Sequence, residues 1–244
     1  MNLILLFKNE LIGSAGHVRL TGRRHAHIRT ILKSSIGDEL CVGVEGGRIG
    51  RGRIAGLDDA AVEMDVSLSA DPPLPLELTL VLALPRPRVF NRALFHVTTL
   101  GVKKIIVFRT WKVTKSYWES PLLRKERMRE QCILGLEQAK DTVIPEIVFR
   151  TDFRPFVEDE LPGIIGGARA YVADTEADTA PQPDGDGPVV LVIGPDGGFV
   201  PFEIEKLKGA GCMPVQLGER IMRVETAVIA GITRFGNIGA GRKK

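Results

Sequence analysis

Two stretches, Leu78–Leu84 (LTLVLAL) and Val189–Ile193 (VVLVI), are continuous apolar runs with Thr79 as the one polar residue, and the second leads straight into Gly194-Pro195-Asp196-Gly197-Gly198-Phe199. A strand with one wet face alternates apolar and polar residues. A strand without alternation is buried on both faces, which calls for a parallel sheet covered by helices. Between such runs the period becomes helical, with Val89, Phe90, Ala93, Leu94, Val97 and Leu100 on one stripe. Ser120-Pro121 offers an N-cap and a first-turn proline, which predicts a long helix from there to about Lys140. Further strands are expected at Lys104–Phe108, Ile144–Phe149, Ala170–Ala173 and Pro214–Leu217, and helices at Phe202–Gly209 and from about Thr226 to Asn237. The alternation of strand and helix is that of an α/β domain. The stretch 174–188, DTEADTAPQPDGDGP, is too rich in Pro, Gly and Asp for core and reads as a loop.

Upstream of this domain, residues 69–75 (SADPPLP) hold three prolines, which remove donors and favour extended chain. This predicts a division into 1–70 and 71–244. The first part has short apolar runs at Leu3–Phe7, Glu39–Val44, Gly52–Ile54 and Val62–Leu68, with Gly46-Gly47 as a hairpin turn, the pattern of a small β-barrel-like domain. Hydrophobic residues at 44% and charged residues at 26% exclude disorder as the main state. Cys41, Cys132 and Cys212 are too scattered for a disulfide framework or a CxxC zinc site, and fit a reducing cytoplasm. The apolar start MNLILLF lacks the length and basic lead-in of a signal peptide, and no membrane span is expected.

The net charge of +3 hides a segregated distribution. Residues 85–130 carry twelve Lys/Arg against three Glu, whereas 141–188 carry eleven acids against three Arg. From Leu11 to Gly37 there is no acid. RNA affinity comes from several cations on one surface. Arg23, Arg24, Arg29 and Lys33 in the first part, with Arg86, Arg88 and Arg92 in the second, are the candidates for holding RNA. The plainer alternative is a solvated basic surface. Tyr117 and Trp118, beside Lys112 and Lys115, are candidates to stack on bases. His17, His25 and His27 lack metal-ligand spacing, so no metal is expected.

Most of the chemistry lies in 191–227. Glycines at the C-terminal end of a buried strand allow positive φ and close approach of a ligand to backbone, at the edge where open α/β sheets bind ligands. The loop is neither a Walker loop nor GxGxxG, so a nucleotide-cofactor oxidoreductase is not supported. After the next strand, Gly218-Glu219-Arg220-Ile221-Met222-Arg223-Val224-Glu225-Thr226-Ala227 places Arg223 and Glu225 at the same sheet edge, just before a helix. Glu225 and Thr226 also suit a cap, and Arg223 a surface ion pair.

Together these segments, LVIGPDGGFVPFEIEKLKGAGCMPVQLGERIMRVETA, resemble the C-terminal signature of the SPOUT-class methyltransferases, and within that class the RsmE family, which methylates N3 of a uridine in 16S ribosomal RNA. Asp196 stands where the family has Glu, and Met222 where it has Leu. HAHIRTILKSSIGDEL (25–40), with Lys33 for Arg, Leu100-Gly101-Val102 and Glu137-Gln138 extend the likeness along the chain. Thr99 replaces a Glu, and Lys140 and Asp141 depart from a small residue and Arg. The resemblance implies a trefoil-knotted, mostly parallel sheet with flanking helices, a PUA-like RNA-binding β-barrel before it, and a homodimer. It implies S-adenosylmethionine (SAM) as cofactor, held by Gly194, Pro195, Gly197, Gly198, Phe199, Leu217, Gly218, Ile221, Met222, Thr226 and Ala227. The implied partner is ribosomal RNA or the small ribosomal subunit.

Methylation at uracil N3 requires removal of its proton and stabilisation of charge on the carbonyl oxygens. Arg223 is the candidate cation, because a guanidinium makes two directed hydrogen bonds. Glu225 is a candidate proton acceptor or orienter of Arg223, with a capping role as the alternative. Two rival readings remain: a same-fold methyltransferase acting on another RNA site, motivated by Thr99, Lys140 and Asp141, and a non-catalytic RNA-binding assembly factor.

Overall fold

The structure, a computed structural model, describes residues 2–12, 16–177 and 187–236. Within the expected 174–188 loop, residues 178–186 lie outside the described residues, as does Asn237. The chain forms two compact units: Met1–Pro73 with Ile133–Ile144, and Leu74–Cys132 with Pro145–Lys244. No described helix is long and apolar enough to cross a membrane.

The first unit contains β1 (Ile4–Leu6), β2 (Leu11–Ile12), β3 (His17–Leu20), β4 (Glu39–Val44), β5 (Ile49–Leu57) and β6 (Val62–Ala70), ordered β1-β4-β5-β6-β3-β2. Only β1 and β4 are parallel; the other neighbours are antiparallel, and the sheet curls around its core. Period-2 burial drives this. Val18 and Leu20 of β3 and Val62 and Met64 of β6 turn inward to meet Ile4, Leu6, Val42 and Ile54. Register shifts in β5 bend the sheet, at Ile49/Gly50 and Ile54/Gly56. Gly50 is required there, because a Cβ would run into the Ser67 carbonyl. Leu3 and Leu5 point the other way, onto Leu136, forming a second small cluster. Helix α1 (Gly22–His27) and a wider turn through Ile28–Leu32, both unexpected from the sequence, end at Lys33 in the left-handed region, φ 53°.

The second unit is a six-stranded sheet of β7 (Leu76–Ala83), β8 (Val102–Phe108), β9 (Glu146–Arg150), β10 (Arg169–Ala173), β11 (Val189–Ile193) and β12 (Met213–Val215). Every pairing is parallel, in the order β12-β10-β11-β7-β8-β9. The two apolar runs are its centre. Leu78, Leu80, Leu82, Leu191 and Ile193 face a core that also takes Phe90, Leu94 and Val97 of α2 (Pro87–Thr99). Val81, Ala83, Val190 and Val192 face the other core, with Phe156, Leu161 and Leu207. Helix α3 (Lys125–Ala139) follows β8, α4 (Leu161–Ile165) and α5 (Pro201–Gly209) serve the second core, and α6 (Val224–Phe235) adds Val228, Ile232 and Phe235 to the first.

Three expectations need correction. Ser120 Oγ accepts the Leu122 amide at 3.3 Å, but caps only a 3-10 turn, Pro121–Leu123; the chain is extended at Arg124 and the α-helix starts at Lys125. Packing of Leu123 against the core redirects the chain there. Tyr117 and Trp118 are partly buried against the same core, Trp118 in a T-shaped contact with Phe149 at 6.0 Å between centroids, so packing takes part of the surface expected to be free for stacking. The strand expected at Pro214–Leu217 is Met213–Val215, ending before the second glycine segment.

Candidate functional site

β7 and β11 are neighbours whose onward connections leave in opposite directions, to β8 on one side and past β10 to β12 on the other. Such a switch point opens a crevice at the C-terminal ends of the strands. Here β11 runs into Gly194–Phe199 and β7 into Leu84-Pro85-Arg86 and α2.

The first loop is braced from several sides. Gly198 N–H donates to Pro195 O at 2.9 Å, with Gly198 at φ 67°, where glycine avoids the Cβ strain of the left-handed region. Lys112 Nζ donates to Gly197 O at 2.6 Å and Phe199 O at 3.4 Å. Glu203, only 2% exposed, accepts the Val200 amide at 3.0 Å and the Trp111 amide at 2.6 Å, and its own N–H donates to Val200 O. Its position in the first turn of α5 also suits the helix dipole. Asp196 accepts the Arg86 amide at 3.4 Å, with Arg86 Nε 3.8 Å away. A Cβ at Gly194 would lie 3.2 Å from the Phe199 ring, whereas one at Gly198 would meet no atom within 4 Å. The backbone at Gly198 thus has open space above it, and Pro195 is buried beneath.

The second segment leaves β12 through Leu217, which packs on the core, and Gly218. Ile221 is 90% exposed, and Met222 reaches back so that its Cε would lie 3.1 Å from a Cβ on Gly218. Glycine backbone beside uncovered apolar side chains fits a ligand with a flat heterocycle and an aliphatic arm. Gly197, Gly198, Gly218, Ile221 and Met222 present this surface. Thr226 is exposed and Ala227 packs on the core.

Arg223 occupies the N-cap position of α6, extended at φ −68° and ψ 157°, with an exposed side chain that makes no cap bond. Glu225 lies within the first turn, not at the cap. Its carboxylate accepts from Arg92 at 3.0 Å, so Arg92 rather than Arg223 is its hydrogen-bond partner. Its other oxygen, Oε2, is buried without a hydrogen-bond partner. Its own backbone amide, opposed by burial and helped by Arg92 and the Arg223 charge, holds the carboxyl below the usual range. That makes Glu225 a weaker base and a fixed anion.

Helix α2 therefore receives both segments. Arg86 at its start meets Asp196, and Arg92, six residues on and about 9 Å along the axis, meets Glu225. Arg86 and Arg92, whose side chains stay 69% and 57% exposed, thus tie the two segments to α2, and Arg88 is exposed as well. Gly231 lets α6 lie close on β11, since a Cβ there would come 2.8 Å from Leu191.

In the first unit the acid-free stretch finds its acids elsewhere. Arg23 pairs with Glu137, 1% exposed, at 2.8 Å. Arg24 forks onto Glu10, with one arm at 2.8 Å, and donates to Leu5 O. Burial would raise the Glu10 carboxyl, but the Arg24 hydrogen bond, the Phe7 amide and the Arg24 charge bring it below its ordinary value. Arg29 pairs with Asp59, and His17 Nδ1 lies 3.0 Å from Asp65 Oδ1. Lys33 is exposed. The family departures have local roles: Thr99 donates to Phe95 O, Lys140 is left-handed at φ 56°, and buried Asp141 accepts the Thr142 and Val143 amides. Sequence reasoning places Glu203 in the first turn of the helix after Pro201 and Lys112 beside the aromatic pair, but missed Trp111 and the bonds that join these three to the loop, which span about 90 positions of the chain.

The family model for an RNA methyltransferase domain matches residues 72–235. The ribosomal RNA small subunit methyltransferase E of Treponema pallidum is 28% identical over 94% of this chain and 88% of its own length. A crystal structure of the ribosomal RNA small subunit methyltransferase E of Neisseria gonorrhoeae bound to S-adenosylmethionine covers 95% of both chains, with a TM-score of 0.73 at 20% identity. A methyltransferase of Legionella pneumophila in complex with SAM covers 96% of both, with a TM-score of 0.75 at 20% identity.

Proposed function

The chain belongs to the RNA methyltransferase family, among the RsmE proteins, and from that membership we propose that it methylates N3 of a uridine in 16S ribosomal RNA with SAM as methyl donor. The observation that carries the reading is the convergence of both glycine segments on α2, through Asp196–Arg86 and Glu225–Arg92, at the C-terminal edge of the sheet. SAM supplies an electrophilic methyl group. Gly194, Pro195, Gly197, Gly198 and Phe199 would hold it on one side, and Leu217, Gly218, Ile221, Met222, Thr226 and Ala227 on the other.

Arg223 is the cation for the developing uracil oxyanion. It is exposed, stands at the positive end of α6, and offers its guanidinium beside a fixed Glu225 anion. Glu225 keeps Arg92 and the first turn of α6 in place as the positioning anion, and the uracil N3 proton passes to solvent water as the methyl group is transferred. A flipped or unpaired uridine is required for access. The first unit is read as a PUA-like RNA-binding module, the second as a trefoil-knotted sheet, and the assembly as a cytoplasmic homodimer.

The test is single-turnover methylation of small-subunit RNA, with the product nucleoside identified by mass spectrometry. Arg223→Ala lowers the rate about 100- to 1,000-fold while SAM and RNA still bind. Arg223→Lys recovers only part of it. Methylation at wild-type rate by Arg223→Ala at saturation removes the oxyanion role, and a product other than 3-methyluridine removes the substrate assignment.

A further inference from the structure

A cleft of about 510 Å3 opens at the C-terminal ends of β8 and β9, between Arg109-Thr110-Trp111 and Thr151–Pro155. It lies on the same sheet edge as the methyl-donor loops, two to three strand spacings from β11, which is about 10–14 Å.

The backbone around Trp111 is fixed. Arg109 N–H donates to Arg150 O at 3.0 Å, continuing the β8–β9 ladder. Val113 is buried and its amide closes a turn onto Thr110 O at 3.1 Å. The Trp111 amide is held by Glu203, and Lys112 by Gly197 and Phe199. Yet the Trp111 side chain is 84% exposed. An indole left in water on a rigid backbone is a stacking surface without its partner. Cations flank it. The Arg154 guanidinium lies 5.1 Å from the Phe202 ring centroid, stacked on a ring that is itself exposed, and Arg109 is exposed at the opposite wall. Thr110, 3% exposed, has a hydroxyl without a hydrogen-bond partner, and Asp152 adds a carboxylate, to which Thr151 donates at 3.3 Å.

We propose that this cleft is a nucleobase subsite, in which Trp111 stacks on a base next to the methylated uridine while Arg109 and Arg154 hold the adjoining phosphates. It rests on the RNA methyltransferase reading and extends it. Aromatic face, paired cations and a carboxylate suit single-stranded RNA: the ring takes any base, the guanidinium groups take backbone, and Asp152 accepts an N–H of the base edge. Because the Trp111 amide and Lys112 are bonded to the 194–203 segment, the spacing between this platform and the methyl-donor loop is fixed.

The experiment uses the full chain with Trp118→Phe, so that Trp111 is the remaining tryptophan, titrated with a uridine hexaribonucleotide. Fluorescence anisotropy of the labelled RNA on the unsubstituted protein runs alongside. RNA binding is expected to quench Trp111. Trp111→Ala weakens binding about 5- to 150-fold and Trp111→Phe keeps most of it. Arg109→Ala and Arg154→Ala each lower the slope of log affinity against log salt by about 0.7. No binding of the hexanucleotide, binding without quenching, or Trp111→Ala binding as tightly as wild type would overturn the subsite. Methyl transfer from labelled SAM by the wild-type protein is assayed separately. Its absence counts against the methyltransferase reading, whereas transfer with an inert Trp111 counts against the subsite alone.

Discussion

Replacing Glu203 by Gln tests whether one buried carboxylate holds the Gly194–Phe199 loop. Its two oxygens accept two backbone amides, Trp111 at 2.6 Å and Val200 at 3.0 Å, in a site 2% exposed. A glutamine offers one carbonyl oxygen and one NH2, so one of these amides must face another donor. A charge-assisted bond contributes about 1.5–3 kcal/mol and a stranded buried donor costs about 1–3 kcal/mol. Allowing for relaxation, the net loss is about 2–4 kcal/mol, or about 4–16 °C in melting temperature for a chain of this length. Removing the anion also forfeits its interaction with the α5 dipole. The measurement is thermal unfolding followed by near-ultraviolet circular dichroism, with Glu205→Gln as control; that residue pairs with Lys208 at 2.8 Å on the surface and is expected to shift the melting point by under about 2 °C. SAM affinity, read by calorimetry, falls in the Glu203 variant because the 194–199 backbone loses its support. Melting of Glu203→Gln within 2 °C of wild type, with unchanged SAM affinity, would show that the carboxylate holds nothing in place.

Gly198→Val puts a β-branched residue at φ 67°, which costs at least about 1–2 kcal/mol, while its Cβ meets no protein atom; the fold is expected to persist and SAM binding to weaken at least about tenfold, whereas tight SAM binding by a folded variant would move the cofactor elsewhere. The Glu10 carboxyl is lowered in the fold, so its ion pair with Arg24 stabilises above the unfolded value near 4.3 and is lost as pH falls through the lower folded value. Glu10→Gln should therefore cost about 1–2 kcal/mol at pH 7, with the gap closing in acid; a gap that persists at low pH in denaturant titrations contradicts this. A fragment of residues 74–244 separates Leu136, fully buried, from Leu3 and Leu5, uncovering about 1.5–3 kcal/mol of burial per large side chain. It should bind a hydrophobic dye and aggregate, and a monodisperse, dye-silent fragment would refute the packing argument.

The parallel sheet was legible because its evidence is local. The apolar runs at Leu78–Leu84, interrupted only by Thr79, and Val189–Ile193 leave no wet face, and both strands are central, with cores on each side. The α2 stripe and the glycine loop after β11, with Gly198 at positive φ, were legible for the same reason, since periodicity and a glycine turn are properties of a few consecutive residues. Ser120 does cap, but only the 3-10 turn Pro121–Leu123, because Leu123 packs on the core and the chain turns extended at Arg124 before the α-helix begins. Charge was the least legible property. The acid-free segment from Leu11 to Gly37 reads as a basic surface, yet Arg23, Arg24 and Arg29 meet Glu137, Glu10 and Asp59. Arg86 and Arg92 likewise meet Asp196 and Glu225, more than 100 positions away. Trp118 and Trp111 look alike as aromatic neighbours of lysine, and only the packing of Trp118 on Phe149 leaves Trp111 as the exposed face. Sequence carries the identity and local spacing of these groups. Which cation is neutralised, and which aromatic stays in water, depends on partners brought together by the chain's return over itself, and tertiary structure alone decides that.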